Sequence, residues 1–330
     1  MKKILQFLFE HKALDRQSAK EVLINISKGV YNESEIAAFI TVYLMRSITI
    51  EELQGFQDAL LELCVRIDLN GYACIDIVGT GGDGKNTFNI STLACFIVAG
   101  AGQKVAKHGN YGASSISGAS NVMEQLGYKL KNDQDRLKKE VEEANICFLH
   151  APMFHPALKT VGPIRKHLGV RTFFNMLGPM VNPAFPQFQL VGVYNLEMAR
   201  IYNYLLQQTD KSFTIIHGLD GYDEISLTND TKVITNEGEK LMTPEQLGKR
   251  SVSAEDIQGG GTVEEAARIF SRILQREGSW AQNAVVLANA AMSLHCTGGY
   301  KNYDDAYAAA VESLESGRAY EALKKLIALQ

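Results

Sequence analysis

Residues 76–92 read Asp-Ile-Val-Gly-Thr-Gly-Gly-Asp-Gly-Lys-Asn-Thr-Phe-Asn-Ile-Ser-Thr. A short apolar run, 74–78, ends there in a segment with four glycines among six residues, 79–84. Glycine reaches positive φ angles and lets the backbone approach a ligand, so several N–H groups can converge on one anion. The polar residues 89–92 precede a predicted helix, 93–101, whose N-terminus favours phosphate. The stretch predicts a phosphate cradle at the carboxyl end of a strand; a strand-to-helix turn without a ligand is the alternative.

After residue 70 the chain alternates between short β-rich runs and helical stretches, which predicts a largely parallel sheet covered by helices. The predicted strands are residues 74–78, 103–106, 146–149, 189–193 and 213–216, and the predicted helices are residues 93–101, 119–126, 135–143 and 196–208. Residues 227–261 are less regular and predict a few edge strands. Open α/β sheets bind ligands at the carboxyl ends of their strands.

Residues 1 to about 68 predict a helical segment. Residues 32–35 (Asn-Glu-Ser-Glu) and 49–52 (Thr-Ile-Glu-Glu) have capping-box spacing, and each precedes an apolar stripe typical of a packing surface. The predicted fold class is α/β, with a small all-helical domain and a larger α/β domain that has a mostly parallel central sheet covered by helices. The helical domain is assigned to residues 1–70 with a second segment near 165–183, and the α/β domain to residues 71–164 and 184–330.

Composition excludes several classes of function. The 330 residues include 33 Lys and Arg against 37 Asp and Glu, a net charge of −4, so no overall positive field recruits nucleic acid or an anionic membrane. The five cysteines are scattered without a Cys-x-x-Cys pair, which is typical of reduced thiols. No apolar run approaches a membrane span, and the first nine residues are too short an apolar run for a signal peptide. We expect a cytoplasmic protein with a local anion site.

Two further polar clusters follow predicted strands. Residues 107–118 contain a lysine, a histidine, an asparagine, three serines and three glycines, and such a loop can wrap phosphate groups with Lys107 as a point charge. Asp223 and Glu224 lie in the segment that follows the strand 213–216. Adjacent carboxylates at a strand end suit Mg²⁺, which prefers one or two carboxylates together with waters and substrate phosphates. A flexible polar loop and an exposed acid pair are the respective alternatives.

Arginines and a rigid segment complete the predicted site. Arg165 or Arg171 could clamp a carboxylate through the planar guanidinium, although surface exposure is the default for both. Residues 171–183 combine apolar bulk with a Gly-Pro and an Asn-Pro pair, which suits a hinge or wall between domains. We find no Gly-x-Ser-x-Gly elbow and no plausible nucleophile set. The clusters together predict a site for a polyphosphate and a second, acidic molecule, with charge stabilisation as its main catalytic means.

These motifs resemble those of the anthranilate phosphoribosyltransferase family. The matching segments are Gly79-Thr80-Gly81-Gly82-Asp83, Asn89-Ile90-Ser91-Thr92, Lys107-His108-Gly109-Asn110, Asp223-Glu224, residues 171–183 and Gly259-Gly260. The likeness runs over nearly the whole chain. It implies a homodimer that transfers the 5-phosphoribosyl group of phosphoribosyl pyrophosphate (PRPP) to the amine of anthranilate and releases pyrophosphate, a step of tryptophan biosynthesis.

The resemblance also implies roles for individual residues. The PRPP site would be lined by Gly79, Gly82, Asp83, Thr87, Asn89, Ile90, Ser91, Thr92, Lys107, His108, Gly109, Asn110, Tyr111, Gly112, Ala113, Ser114, Ser115 and Ala119. Mg²⁺ on the pyrophosphate would be held by Ser91, Asp223 and Glu224. The anthranilate carboxylate would be bound by Asn110 and Arg165, with Gly79 bordering that site. No general base is implied, because the amine of anthranilate is already neutral; Lys107 and Arg165 would contribute charge.

The donor loop departs from the usual pattern of the family. Tyr111 stands where the family commonly has Arg, Ile116 where it has Lys, and residues 119–121 (Ala-Ser-Asn) where it has Ser-Ala-Asp. Two cations are therefore missing next to the polyphosphate, and the details of phosphate binding stay open.

Two other functions remain open at the level of sequence. A pyrimidine nucleoside phosphorylase would share this architecture and a glycine- and serine-rich phosphate loop, but would have no evident use for Asp223 and Glu224 as a metal pair. A non-catalytic relative that binds nucleic acid would be expected to show a basic face, which the charge balance does not support.

Overall fold

The computed structural model describes residues 1–112, 115–248 and 250–330, so the predicted site residues Ala113 and Ser114 lie outside the described residues. The chain divides into two compact units. The first is formed by Met1–Arg66 with Ala151–Pro183, and the second by Ile67–His150 with Ala184–Gln330. Residues 151–164, which we assigned to the α/β domain, therefore belong to the helical unit.

The helical unit is built on short, capped helices. Its helices, numbered in chain order, are α1 (Lys2–Phe9), α2 (Arg16–Ser27), α3 (Glu33–Met45), α4 (Ile50–Leu63), α8 (Ala151–Phe154), α9 (Pro156–Leu168) and α10 (Phe174–Leu177), followed by a 3₁₀ turn, Gly178–Met180. Both predicted capping boxes are confirmed, at Asn32 and at Thr49. In the second box Glu52 is fully buried and also accepts hydrogen bonds from Arg46, so this cap forms part of the core.

An aromatic cluster explains why the second segment joins this unit. Phe39, Tyr43 and Phe56 on α3 and α4 are buried and contact the ring of Phe173. The Phe173 and Phe56 rings stack with centroids 4.7 Å apart. Residues 151–168 add α9, which packs on α2, α3 and α4. The first 66 residues thus bury their apolar stripes against a segment about a hundred residues further along the chain, a pairing that local sequence patterns do not carry.

The second unit has the predicted α/β architecture. Its sheet has the order β3-β2-β1-β4-β5-β6-β7, formed by β1 (Ile75–Gly79), β2 (Val105–Gly109), β3 (Ile146–His150), β4 (Phe188–Gly192), β5 (Ser212–Gly218), β6 (Thr231–Thr235) and β7 (Gly238–Met242). Strands β1 to β5 pair in parallel, and β6 and β7 add antiparallel edge strands from the segment predicted to supply them. The fold class is confirmed.

Helices cover this sheet and fix where its strand ends lie. They are α5 (Ile90–Gly100), α6 (Ala119–Gln125), α7 (Gln134–Ala144), α11 (Leu196–Leu206), α12 (Pro244–Gly248), α13 (Val263–Leu274), α14 (Trp280–Cys296), α15 (Tyr303–Glu315) and α16 (Arg318–Ala328), with a 3₁₀ turn at Glu255–Ile257. Every residue of α5 except Ser91 and Gly100 is buried, and α5 packs on α14, α16 and β1. Full burial of α5 anchors its N-terminus, which directly follows the glycine-rich turn.

One predicted boundary is wrong in a way that matters for the site. Strand β2 extends to Gly109, because Lys107, His108 and Gly109 pair in register with Phe148, Leu149 and His150 of β3. Lys107 and His108 are therefore strand residues and are not part of the loop to which we assigned them. None of the helices in the described residues is both long and apolar enough to cross a membrane.

Candidate active site

The glycine-rich turn after β1 has the backbone shape that its sequence predicts. Gly81, Gly82 and Gly84 have φ angles of +64°, +75° and +76°, which side chains other than glycine rarely adopt. The N–H of Thr80 donates to the carbonyl of Gly192 at 2.9 Å, so the turn begins level with the end of β4. Backbone N–H groups of this turn are thereby displayed at the carboxyl edge of the sheet.

Asp223 and Glu224 are bound to this turn and to the start of α5. Asp223 Oδ2 accepts a hydrogen bond from the N–H of Gly81 at 2.7 Å. Glu224 accepts one from the N–H of Ser91 at 3.0 Å and one from Thr87 Oγ1 at 3.2 Å. Sequence places these acids more than 130 residues from the cradle, and the structure brings them together with it. The N-terminus of α5, which we predicted to favour phosphate, thus already stabilises a carboxylate.

Both carboxyl groups are protonated more readily than usual. Burial is the main cause that raises the pKa of Asp223, and the charge of Asp83 adds to it, while the nearby Lys107 lowers it. Burial followed by the charge of Asp223 raises the pKa of Glu224 well above its ordinary value. Two buried acids without enough positive charge nearby form a site that a cation would stabilise.

The oxygen ligands available here fit Mg²⁺ better than a metal ion that takes all of its ligands from protein side chains. Within residues 1–112, 115–248 and 250–330 there is no group of three or more His, Cys, Asp or Glu side chains that could hold a metal ion. Two carboxylates beside the Ser91 and Thr87 positions match Mg²⁺, which takes few protein ligands and fills its octahedron with waters and substrate phosphates. The residues present therefore fit the predicted metal.

The raised pKa values predict how the stability of the ligand-free protein depends on pH. In the folded state Asp223 and Glu224 keep their protons to a higher pH than in the unfolded chain, where carboxyl groups titrate near their ordinary pKa values. The stability that these groups contribute is therefore present at low pH and is lost as the pH rises toward their folded-state pKa values. Between about pH 5 and pH 8 we expect the wild type to lose stability on the order of 1 kcal/mol more than the Asp223→Asn/Glu224→Gln variant. Urea unfolding at both pH values measures this. The same pH dependence in both proteins would contradict it.

Strand β2 supplies buried polar groups beneath the cradle. Lys107 is only 2% exposed, and its ammonium donates to the carbonyl of Ile77 at 2.5 Å. The backbone N–H of His108 donates to Asp76 Oδ1 at 3.1 Å, and Asp76 is fully buried in β1. Lys107 thus acts electrostatically on Asp223 from below the strand ends, and its predicted contact with phosphate stays a prediction. The acid at position 76, inside an apolar run, was a signal that our sequence reading did not use.

The loop after β2 is held to the cradle by its own polar groups. Asn89 Nδ2 donates to the carbonyl of Ser117 at 2.9 Å, which joins the start of α5 to this loop. Asn121 Oδ1 accepts from the N–H groups of Gly112 and Gly118, both at 3.0 Å, and so closes the loop at its two ends. Ala119 begins α6. The described part of this loop therefore lies next to the cradle.

A segment far along the chain closes the other side of the cradle. The N–H of Gly259 donates to the carbonyl of Asn86 at 2.7 Å, and Asn86 Nδ2 donates to the carbonyl of Gly260 at 2.8 Å. Thr87 forms an isolated antiparallel bridge with Gln258. These contacts fix Asn86 and Thr87, and the hydroxyl of Thr87 donates to Glu224.

Arg165 lies in the helical unit, on the last turn of α9. Its Nη2 donates to Asn175 Oδ1 at 3.1 Å, and its guanidinium lies 5.4 Å from the centroid of the Phe174 ring. Burial lowers its pKa, and in the described part of the chain no carboxylate forms an ion pair with it. A half-buried arginine with this surplus of positive charge suits an anionic ligand.

Gly192 and His150 are further residues that our sequence reading missed. A Cβ at Gly192 would overlap the carbonyl oxygen of Asp223, and one at Gly79 would overlap its carboxylate. Nothing in the sequence around Gly192 marks it, since a glycine at a strand end is common. His150, at the end of β3, is a polar residue directly after an apolar run, which is a usable but weak signal.

The fold and this arrangement of residues are those of a glycosyl transferase. The model of the glycosyl transferase family α/β domain matches residues 71–320, and that of its helical bundle domain matches residues 2–64. The chain is 61% identical to the anthranilate phosphoribosyltransferase of Flavobacterium johnsoniae over 326 residues, which covers 99% of this chain and 98% of that protein. The chain belongs to the anthranilate phosphoribosyltransferase family.

Solved structures agree with this assignment. The anthranilate phosphoribosyltransferase of Thermus thermophilus superposes with a TM-score of 0.91 at 32% identity and covers 98% of both chains. The Saccharomyces cerevisiae enzyme, in complex with PRPP and Mg, superposes with a TM-score of 0.87 at 28% identity over 96% of this chain and 93% of that one. Membership in this family decides against both the nucleoside phosphorylase and the non-catalytic alternative.

Proposed function

We propose that the chain transfers the 5-phosphoribosyl group of PRPP to the amine of anthranilate, giving N-(5-phosphoribosyl)anthranilate and pyrophosphate in tryptophan biosynthesis. The observation that carries the proposal is the buried pair Asp223 and Glu224, whose oxygens accept hydrogen bonds from the N–H groups of Gly81 and Ser91. That pair joins a cation site to a backbone cradle for phosphate. The identity shared with named relatives over nearly the whole chain supports the choice of substrates.

The cation is proposed to be Mg²⁺, with Ser91, Asp223 and Glu224 near it. The solved yeast relative is in complex with Mg, and the donor set of this chain fits that metal. When bound, Mg²⁺ offsets the negative charge that develops on the departing pyrophosphate. The buried carboxylates of this chain would hold the positive charge in place, and without it burial favours their neutral, protonated forms.

The chain's own residues would act mainly by positioning and by fixed charge. The N–H groups of the turn at 79–84 and the loop after β2 surround the phosphoryl oxygens, and Lys107 adds positive charge from beneath. The bond from the anomeric carbon to pyrophosphate breaks as the neutral amine of anthranilate forms its bond to that carbon, and the proton that the amine then loses passes to the pyrophosphate or to solvent. Because that amine needs no deprotonation beforehand, we assign no general base and expect orientation to supply much of the rate.

The acceptor carboxylate is proposed to bind Asn110 and Arg165. Asn110 is exposed directly after β2, and Arg165 has no acidic partner among the described residues. We expect Arg165→Ala to raise the KM for anthranilate about tenfold or more while the KM for PRPP stays within about twofold, since the guanidinium binds the carboxylate in ground and transition states alike. Arg165→Lys should fall between, because it keeps the charge without the planar fork.

Steady-state kinetics with each substrate varied in turn checks this prediction. Arg200→Ala, at an exposed arginine on α11, is the matched control. Arg171→Ala tests the other candidate arginine. A raised KM for anthranilate in the Arg171 variant, with none in the Arg165 variant, would move the role to Arg171.

We also propose a homodimer formed through the helical unit, in the cytoplasm. Large apolar side chains on α1 and α3 are exposed, among them Phe9 at 62% and Met45 at 83%. Such side chains suit a subunit interface. The five cysteines are unpaired and four are buried, which fits a reducing compartment.

The decisive experiment follows the fluorescence of anthranilate. Purified protein, PRPP and Mg²⁺ are mixed with anthranilate, and EDTA replaces the metal in the control. A fall in fluorescence that requires all three components supports the proposal. No change, with PRPP still bound in calorimetry, would show that the acceptor is another amine.

A further inference from the structure

Two backbone N–H groups hold Asn110 in place. The N–H of Tyr111 donates to Asn110 Oδ1 at 2.8 Å, and the N–H of Ser120 donates to the Asn110 carbonyl at 3.0 Å. Within the Asn110 side-chain amide, only the oxygen can accept a hydrogen bond from an N–H group. This contact therefore also decides which way the Asn110 amide is oriented. Its NH₂ group, which donates to no acceptor among the described residues, is then the end that can donate to a ligand.

The side chains of Tyr111 and Ser120 both contact one buried histidine, His150. Ser120 Oγ lies 2.8 Å from Nδ1 of His150, and both residues are buried. The ring of Tyr111 packs edge-to-face on the same imidazole, with centroids 4.8 Å apart at 67°. His150 pairs with Gly109 in the β2–β3 register and therefore lies level with the start of the loop. One rigid strand end thus fixes both residues that hold Asn110.

The loop itself offers no charged group that could do the same. Residues 109–121 contain no Asp, Glu, Lys, Arg or His. Two sets of contacts in its described part involve no charge: the hydrogen bonds to Asn121 Oδ1, and the contacts of Ser120 and Tyr111 with His150. Tyr111 also interacts with Glu124 of α6. Burial lowers the pKa of His150 to about 4, so the imidazole stays neutral and keeps the same bond to Ser120 across neutral pH. A donor whose neighbours are fixed in this way is preorganised and loses little entropy when a ligand binds.

We propose that His150 is a positioning residue for the acceptor: through Ser120 and Tyr111 it fixes Asn110 with its amide NH₂ directed to the carboxylate of the acidic substrate. His150 itself touches no substrate in this arrangement. The inference rests on the proposed function for the identity of that carboxylate, whereas the fixing of Asn110 by His150 depends only on the contacts within this loop.

Kinetics of His150→Ala test the role. We expect the KM for anthranilate to rise about tenfold, the loss of roughly one well-made hydrogen bond, and the KM for PRPP to rise less, because most residues of the predicted PRPP site lie outside the segment that His150 fixes. His150→Asn should restore part of the loss, because its amide can replace Nδ1 as the partner of Ser120. Ser120→Ala should raise the KM for anthranilate less than His150→Ala, since the ring contact with Tyr111 stays. Ser313→Ala, at a buried serine that donates to Ile97 outside this loop, is the matched control.

Hydrogen–deuterium exchange gives a readout that does not depend on activity. In ligand-free His150→Ala, backbone amides of 110–112 and 118–121 should exchange faster than in the wild type, while those of β4 and β5 stay unchanged. If His150→Ala does not fold, His150→Asn and Ser120→Ala carry the test. Unchanged exchange in the loop, or equal rises in KM for both substrates, would overturn the proposal. A wild type without transfer activity would instead refute the proposed function, and the exchange data would still decide whether His150 fixes Asn110.

Discussion

Replacing Asp223 by Asn together with Glu224 by Gln is expected to lower turnover by about a hundredfold or more without unfolding the protein, since both changes keep shape and remove only charge. Two buried carboxylates are the proposed means of holding Mg²⁺ on the pyrophosphate. Their neutralisation also removes the cost of burying a charge, which is the main cause that raises the pKa of both groups. The ligand-free variant should therefore be at least as stable as the wild type near neutral pH.

Turnover followed by anthranilate fluorescence and thermal unfolding of the same samples check this expectation. The matched control is Asp304→Asn/Asp305→Asn, which neutralises another adjacent pair of acids, exposed at the start of α15. Wild-type turnover in the Asp223/Glu224 variant would remove the metal assignment. A lower melting temperature than the control pair would show that the carboxylates serve folding, against the electrostatic argument.

The fold was predictable because its signals are local. Buried strands such as β1 and β3 are apolar runs of about the right length, and capping boxes mark the starts of α3 and α4. The place of residues 151–164 in the helical unit was not, because it depends on the packing of α9 on α2, α3 and α4, which lie about a hundred residues earlier in the chain. Such pairings over long sequence separations leave no periodic trace.

The candidate site could be predicted at the positions where the type of residue alone indicates its chemistry. Glycines 81, 82 and 84 predict a turn with positive φ, and adjacent acids indicate a cation site. The role of His150 could not be inferred, because it arises only when α6 and β3 bring Ser120 and the imidazole together. The place of Lys107 in a buried strand could not be inferred either, because it depends on the pairing of β2 with β3.

Gly192→Ala is expected to produce the second large loss of activity. Gly192 and Gly79 are paired in the β1–β4 register, and Asp223 packs closely against both of them. A Cβ at position 192 would overlap the carbonyl oxygen of Asp223, a backbone atom that cannot rotate away. The segment at 223–224 must then shift, and we expect turnover to fall about a hundredfold, with a loss of about 1–3 kcal/mol in stability.

Two further alanine variants, Gly79→Ala and Gly299→Ala, serve as a comparison and a control for Gly192→Ala. At Gly79 the clash is with the Asp223 carboxylate, so we expect a loss of turnover with a smaller loss of stability than in Gly192→Ala. At Gly299 the nearest atom to a new Cβ is 3.5 Å away, an ordinary contact, and no loss is expected. Kinetics with urea unfolding on the three variants measure both effects, and wild-type turnover in Gly192→Ala would contradict the seating of Asp223. Because alanine adds one methyl group and no charge, a loss of turnover in Gly192→Ala would have to come from a changed position of the two carboxylates. The Asp223→Asn/Glu224→Gln variant instead changes their charge.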